Sequence, residues 1–189
     1  MLVSPEHLAR DERRRASAIK LEESSAKREQ LVSLNQTFQK MHSQSDRQRR
    51  GYAFEKLLTA MFRLAELEYN GSYKTETDQV DGAVTLDAFT YLIEARWRQG
   101  PAADTDLGAF AHKVERRIDA TRGLFISMAG FRNEAVSLYR RAKDNRLVLV
   151  DGADIAWILE GRADLTEVLR AKVRAASVHG DPFVPASTL

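Results

Sequence analysis

The sequence contains no cysteine. That excludes disulfides, thiolate zinc sites and a cysteine nucleophile, and it fits a cytoplasmic location. The four histidines, His7, His42, His112 and His179, show neither H-x-x-x-H nor H-E-x-x-H spacing, so a histidine-built zinc site is not expected. No apolar run approaches the roughly 18 residues that a spanning helix needs. The opening MLVSPEHLARDERRR lacks the apolar core of a signal peptide, so no membrane is expected as a partner. Neither GxGxxG nor GxxxxGK[ST] follows any strand-like run, which argues against the common nucleotide-binding enzymes. Residues 5 to 48 hold no glycine and a single proline, Pro5.

A chain of 189 residues makes about one domain, or one domain with an extension. Hydrophobic residues at 43% and charged residues at 30% place it with globular proteins rather than with membrane or disordered chains. The net charge of +2 is unevenly spread: residues 1–50 hold 11 Lys/Arg against 7 Asp/Glu, and the rest hold 18 against 20. The basic surplus lies in the N-terminal segment. The slightly acidic remainder suits a site that gathers carboxylates around a metal.

The segment from 5 to 48 is rich in Ala, Glu, Lys, Arg and Gln and predicts one long helix, with Ser4 as N-cap and Pro5 in the first turn. Its apolar residues become periodic late, at Leu31, Leu34, Phe38 and Met41. Such a thin stripe suits a coiled-coil seam or a docking helix. Three readings stay open: a helix packed on its own domain, a self-association helix, and a basic arm for nucleic acid using Arg10, Arg13, Arg14, Arg15, Arg47, Arg49 and Arg50. Residues 1–50 are thus expected to form a helical, coiled-coil-like extension, 51–176 the main domain, and 177–189 a disordered tail.

From Gly51 the texture changes. GYAFEKLLTAMFRLAELEY puts Phe54, Leu57, Leu58, Met61, Phe62 and Ala65 on one helical face. Strand-like runs follow at 71–76, 79–86 and 90–98, the last two joined as a hairpin through Asp87-Ala88-Phe89. DTDLGAFAHKVERRIDA predicts a helix with Leu107, Phe110, Val114 and Ile118 inward. RGLFISM and RLVLVDG read as buried strands separated by a helix, and two further helices close the chain. The order predicts an α/β fold, a mixed sheet flanked by helices on both faces.

The stretch QVDGAVTLDAFTYLIEARWRQ carries the chemistry. Strand alternation puts Glu94 and Arg96 on one face with Leu92 and Arg98, opposite Tyr91, Ile93, Ala95 and Trp97. Gln79 and Asp81 share a face, and the strand register decides whether it is the face of Glu94. If it is, two carboxylates meet beside a cation. Carboxylates at close range repel unless a cation neutralises them, and Mg²⁺ takes hard oxygen ligands. Two readings remain at this point: a metal site, or a surface ion pair with Asp81-Gly82 as an ordinary turn. Trp97 reads as core before it reads as a base-stacking platform. Ser127 and Arg132, flanking a helix start, read as a structural loop before they read as a phosphate-accepting helix N-terminus.

These motifs resemble the PD-(D/E)xK nuclease superfamily, in its Mrr-type restriction endonuclease branch. GYAFEKLL supplies Glu55, QVDG supplies Asp81, and YLIEARW supplies Glu94 and Arg96. RGLFISMAGFRNEAVSLYRRA and RLVLVDGADIAWIL resemble the branch's later landmarks. The resemblance spans about Gly51 to Leu169 and implies a restriction-endonuclease-like sheet. It implies Mg²⁺, with Mn²⁺ as a substitute, between Asp81 and Glu94, with Glu55 assisting. It implies DNA as substrate and a restriction or defence role.

The family's lysine is Arg96 here, and arginine is a fixed, always-charged fork. Lys113, on the following helix, is the candidate to take over, and Gln79 a candidate to contact the phosphate or the water. Cutting both strands needs two sites, so a homodimer or higher oligomer is expected. No separate recognition domain is expected, which leaves specificity weak, indirect or supplied by another protein. The alternative is a non-catalytic DNA-binding or assembly module whose site is degenerate.

Overall fold

A computed structural model of the protein describes residues 5–74, 79–142 and 145–189. Helix α1 (Pro5–His42) is followed not by continuous helix but by a break, and α2 (Arg47–Leu64) starts anew. Asp46 is the reason: its side chain accepts the N–H groups of Gln48 and Arg49, an N-cap that opens a second helix. The expected helix over 5–48 is therefore two helices, and Arg47, Arg49 and Arg50 belong to the second. Ser4, the expected N-cap, lies outside the described residues.

Short strands β1 (Glu68–Asn70), β2 (Tyr73–Lys74) and β3 (Gln79–Val80) precede the hairpin of β4 (Gly82–Leu86) and β5 (Phe89–Arg96). Then come α3 (Asp104–Glu115), β6 (Arg122–Ser127), α4 (Asn133–Arg141), β7 (Leu147–Asp151), α5 (Gly152–Leu159) and α6 (Leu165–His179). The main sheet has the order β1-β4-β5-β6-β7. Its first pairings are antiparallel, and β5-β6-β7 are parallel. Part of the strand expected over 71–76 lies outside the described residues. The strand expected over 79–86 bends at Asp81, and β3 leaves the main sheet to pair with β2.

Alternation along the strands divides the core in two. Val84, Leu86, Tyr91, Ile93, Leu124, Ile126, Val148 and Val150 face α1, α2, α5 and α6. Ala83, Leu92, Phe125, Leu147 and Leu149 face α3 and α4. Trp97 turns into the first layer, its ring 5.2 Å from Phe54 and 5.0 Å from His42, so it is core. Phe38 and Met41 of α1 are buried in that same layer, so the end of α1 packs on its own domain. Ile118 departs from expectation: α3 ends at Glu115, and Ile118 beyond it is 77% exposed.

The expected disordered tail is a correction. Lys172 and Asp154 form a fully buried ion pair at 2.6 Å. The ammonium also donates to the carbonyls of Leu149 and Val184, and the Ala186 N–H donates to Asp154 Oδ1 at 2.6 Å. The Leu149 N–H donates to the Pro182 carbonyl. Burial pushes the Lys172 pKa down while Asp154 pulls it back. An ion so enclosed needs every acceptor it has, and the tail supplies one of them. No described helix is long and apolar enough to cross a membrane.

Two stability predictions follow from these contacts. The β4–β5 turn holds Asp87 and Ala88 at φ 49° and 66°, a left-handed pair that favours glycine at its second position. Ala88→Gly is expected to stabilise the protein by about 1 kcal/mol in urea unfolding. Lys172→Met, which strands the Asp154 carboxylate, is expected to cost about 3–5 kcal/mol, with part recovered in the Asp154→Leu/Lys172→Met double variant.

Candidate active site

The pairing Gly82↔Ile93 and Ala83↔Leu92 carries Asp81 to the level of Glu94, which answers the register question. Asp81 stands at the bend where β3 peels away from the main sheet. The Asp81 N–H still donates to the Ile93 carbonyl at 3.2 Å. Its carboxylate accepts the Ala95 N–H at 2.9 Å, taking the place of the main-chain acceptor that a continued β3 would offer to β5. Asp81-Gly82 is thus a strand junction and not a turn. Glycine is required there for another reason: a Cβ on residue 82 would sit 2.7 Å from the Tyr69 hydroxyl. Tyr69 stacks on Phe62 at 5.0 Å, and its hydroxyl reaches the Asp81 carbonyl at 3.5 Å.

Glu94 is held between two cations. Its Oε1 accepts from Arg96 at 3.1 Å and its Oε2 from Lys113 Nζ at 2.8 Å. The three side chains are only 11%, 17% and 23% exposed. Lys113 reaches across from α3 because Leu107, Phe110 and Val114 dock that helix on the sheet. The same ammonium donates to the Gln79 carbonyl at 3.1 Å, so Gln79 enters through its main chain. Arg96 is braced from its far side by Asp106, with its guanidinium 5.2 Å from the Phe125 ring centre.

Asp106 is the residue that sequence reasoning missed. An acid in the first turn of a helix reads as a favourable partner of the helix dipole and nothing more. Here it does that, accepting the Ala103 N–H, and also holds Arg96 and, at 3.3 Å, Arg98. Burial alone would raise its pKa, but the Ala103 N–H and the Arg96 charge outweigh that and hold it low.

Asp81 and Glu55 are shifted in the opposite sense. Burial, and then the charge of Glu94, push the Asp81 pKa up against the pull of the Ala95 N–H, Lys113 and Arg96. Burial, and then the charge of Asp81, push Glu55 up. Glu55 on α2 therefore feels Asp81, and Asp81 feels Glu94, across the junction of the two layers. Such a donor set of hard oxygens with mutual repulsion fits a divalent cation. Among the described residues, however, no three His, Asp or Glu side chains converge as a ready-made metal cage. Ser127 is structural: its hydroxyl donates to the Gly130 carbonyl at 2.7 Å.

The restriction endonuclease family model of the Mrr catalytic domain matches residues 47–159. The chain belongs to that family. The match begins at the first residue of α2 and ends with α5, so it takes in all the strands and every residue of the cluster. Membership in the Mrr-type family supports a nuclease function. No curated protein matches the chain. A solved structure, the MspJI restriction endonuclease in complex with a 27-mer oligonucleotide, aligns at 18% identity and a TM-score of 0.44, over 83% of this chain. The chain spans 39% of the length of that protein.

The raised Asp81 pKa gives a pH test. The folded state holds this proton more tightly than the unfolded chain does, so ionising Asp81 costs stability. The cost is absent below the ordinary aspartate value of 3.8, where both states are protonated, and is complete above the raised folded value. Asp81→Asn keeps an oxygen for the Ala95 N–H. In metal-free buffer it is expected to raise Tm by about 2–4 °C at pH 7, with the gain vanishing below about pH 4.

Proposed function

We propose that the domain is a metal-dependent DNA endonuclease that hydrolyses phosphodiester bonds in restriction or defence against foreign DNA. The observation that carries this reading is the Lys113 ammonium, 2.8 Å from Glu94 Oε2. The lysine that the strand motif lacks at Arg96 is supplied from α3, to the same carboxylate. Asp81 and Glu94 would hold Mg²⁺ or Mn²⁺, with Glu55 assisting through water. The ion, when bound, would polarise the phosphate and lower the pKa of the attacking water.

The chain's own groups do the rest. Lys113 leaves its contact with Glu94 to hold a phosphate oxygen and to stabilise the charge that builds up as water adds to phosphorus and a P–O bond breaks. Arg96 cannot take a proton, but its guanidinium, braced by Asp106, keeps positive charge beside the reacting phosphate. Glu55 helps orient the water. A homodimer would bring the two sites needed for two strands, another protein would supply sequence specificity, and the cysteine-free chain fits the cytoplasm.

Supercoiled plasmid incubated with Mg²⁺ or Mn²⁺ tests the reading. Wild type is expected to nick it, and Asp81→Ala and Glu94→Ala to abolish nicking. Lys113→Ala is expected to slow it by about 10²–10³-fold, the usual cost of one electrostatic donor. Arg96→Lys is expected to stay active. No metal-dependent nicking, or nicking that survives both carboxylate changes and so comes from a contaminant, would sink this reading and leave instead a non-catalytic DNA-binding or assembly module.

A further inference from the structure

An open groove of about 1220 Å³ runs between α1 and α2. Its charged walls are Lys20, Glu23 and Lys27 from α1, and Lys56, Arg63 and Glu66 from α2 and the residues just after it. Four cations face two carboxylates, a surplus of two positive charges. Among the described residues none of the four cations forms an ion pair. Lys56 instead lies over the Tyr52 ring at 4.4 Å, and that ring is 62% exposed. On each helix the two cations are seven residues apart, about 10.5 Å along the axis. Phosphates of one strand advance about 3.4 Å per nucleotide, so each row spans about three.

The groove also comes within one helical turn of Glu55. Thr59 lies in its wall, one turn after Glu55, whose carbonyl accepts the Thr59 hydroxyl at 2.8 Å. Thr59 lies close enough to Tyr69 to pull its phenol pKa down against burial, and the Tyr69 hydroxyl reaches the Asp81 carbonyl. A chain lying in the groove would therefore run alongside the edge of the site.

We propose that the α1–α2 groove binds the phosphodiester backbone of one DNA strand, with Lys20 and Lys27 on one wall and Lys56 and Arg63 on the other neutralising phosphates about three nucleotides apart, and Tyr52 offering a ring to a base at its end. This rests on the nuclease reading, which makes the substrate a polyanion. It gives α1 a task beyond packing: its last turns anchor on the core, and its middle turns form one wall of the substrate track. The attraction is that of unpaired cations for phosphate, with release of counterions, and it does not require the metal.

Fluorescence anisotropy of a labelled DNA duplex, measured in EDTA with the full chain over a salt series, tests it. Lys20→Ala/Lys27→Ala and Lys56→Ala/Arg63→Ala are each expected to weaken binding and to lower the slope of log K against log salt by about two, one for each cation removed. A control, Arg141→Ala/Arg174→Ala on α4 and α6, removes two charges away from the groove and is expected to leave the slope unchanged. Unchanged slopes in the groove variants, an equal fall in the control, or no binding by wild type at low salt would each overturn the proposal. Groove variants that bind as wild type while plasmid is still nicked would sink the groove and leave the nuclease standing. Wild type that binds through the groove yet never nicks would do the reverse.

Discussion

The Glu94 carboxylate is the point on which the arrangement turns. A carboxylate 11% exposed is costly to keep charged unless cations stand against both oxygens. One cation comes from two residues further along β5, the other from a helix nineteen residues on. Their meeting fixes how α3 lies on the sheet. Asp106, at the opposite end of that helix, fixes it a second time by bracing Arg96. Removing either acid leaves a half-buried guanidinium with one partner fewer. The polar cluster and the apolar docking of Leu107, Phe110 and Val114 thus specify the same position for one helix.

The second constraint is the bend at Asp81. An unbroken β3–β4 strand would pair through to Ala95 and leave no room for a side chain at the sheet's edge. By letting β3 turn away to β2, the chain exposes one β5 N–H, and Asp81 takes it. Tyr69 braces the junction against Gly82, which only a glycine allows. The price of the opening is a carboxylate in a partly dry place, and its raised pKa records that.

Much of this was legible in the residues. The 3.6 period of α2 and the 2.0 period of β5 predict their buried faces, because both repeat a short apolar pattern that local geometry reads directly. Glu94 and Arg96 share a face for the same reason. Asp106, Asp154 and Lys172 were not legible. A charged residue on a helix looks alike whether it meets water or a partner from a distant segment, and only the fold decides. The break before α2 was missed because helix-forming composition continues through it, while the single Asp46 cap overrides it. Ile118 misled in the opposite way: the period continues past the point where the helix stops.

The Lys172–Asp154 pair carries a consequence for how the chain is made. Its two ions belong to α6 and α5, yet the groups that complete their shell, the Val184 carbonyl and the Ala186 N–H, emerge from the ribosome only later. Until then the ammonium and the carboxylate have no reason to leave water. The layer formed by α5 and α6 therefore closes fully only once the segment that holds Val184 and Ala186 has been made, whatever the sheet has already done. The segment from Val184 to Ala186 acts as a seal on this layer.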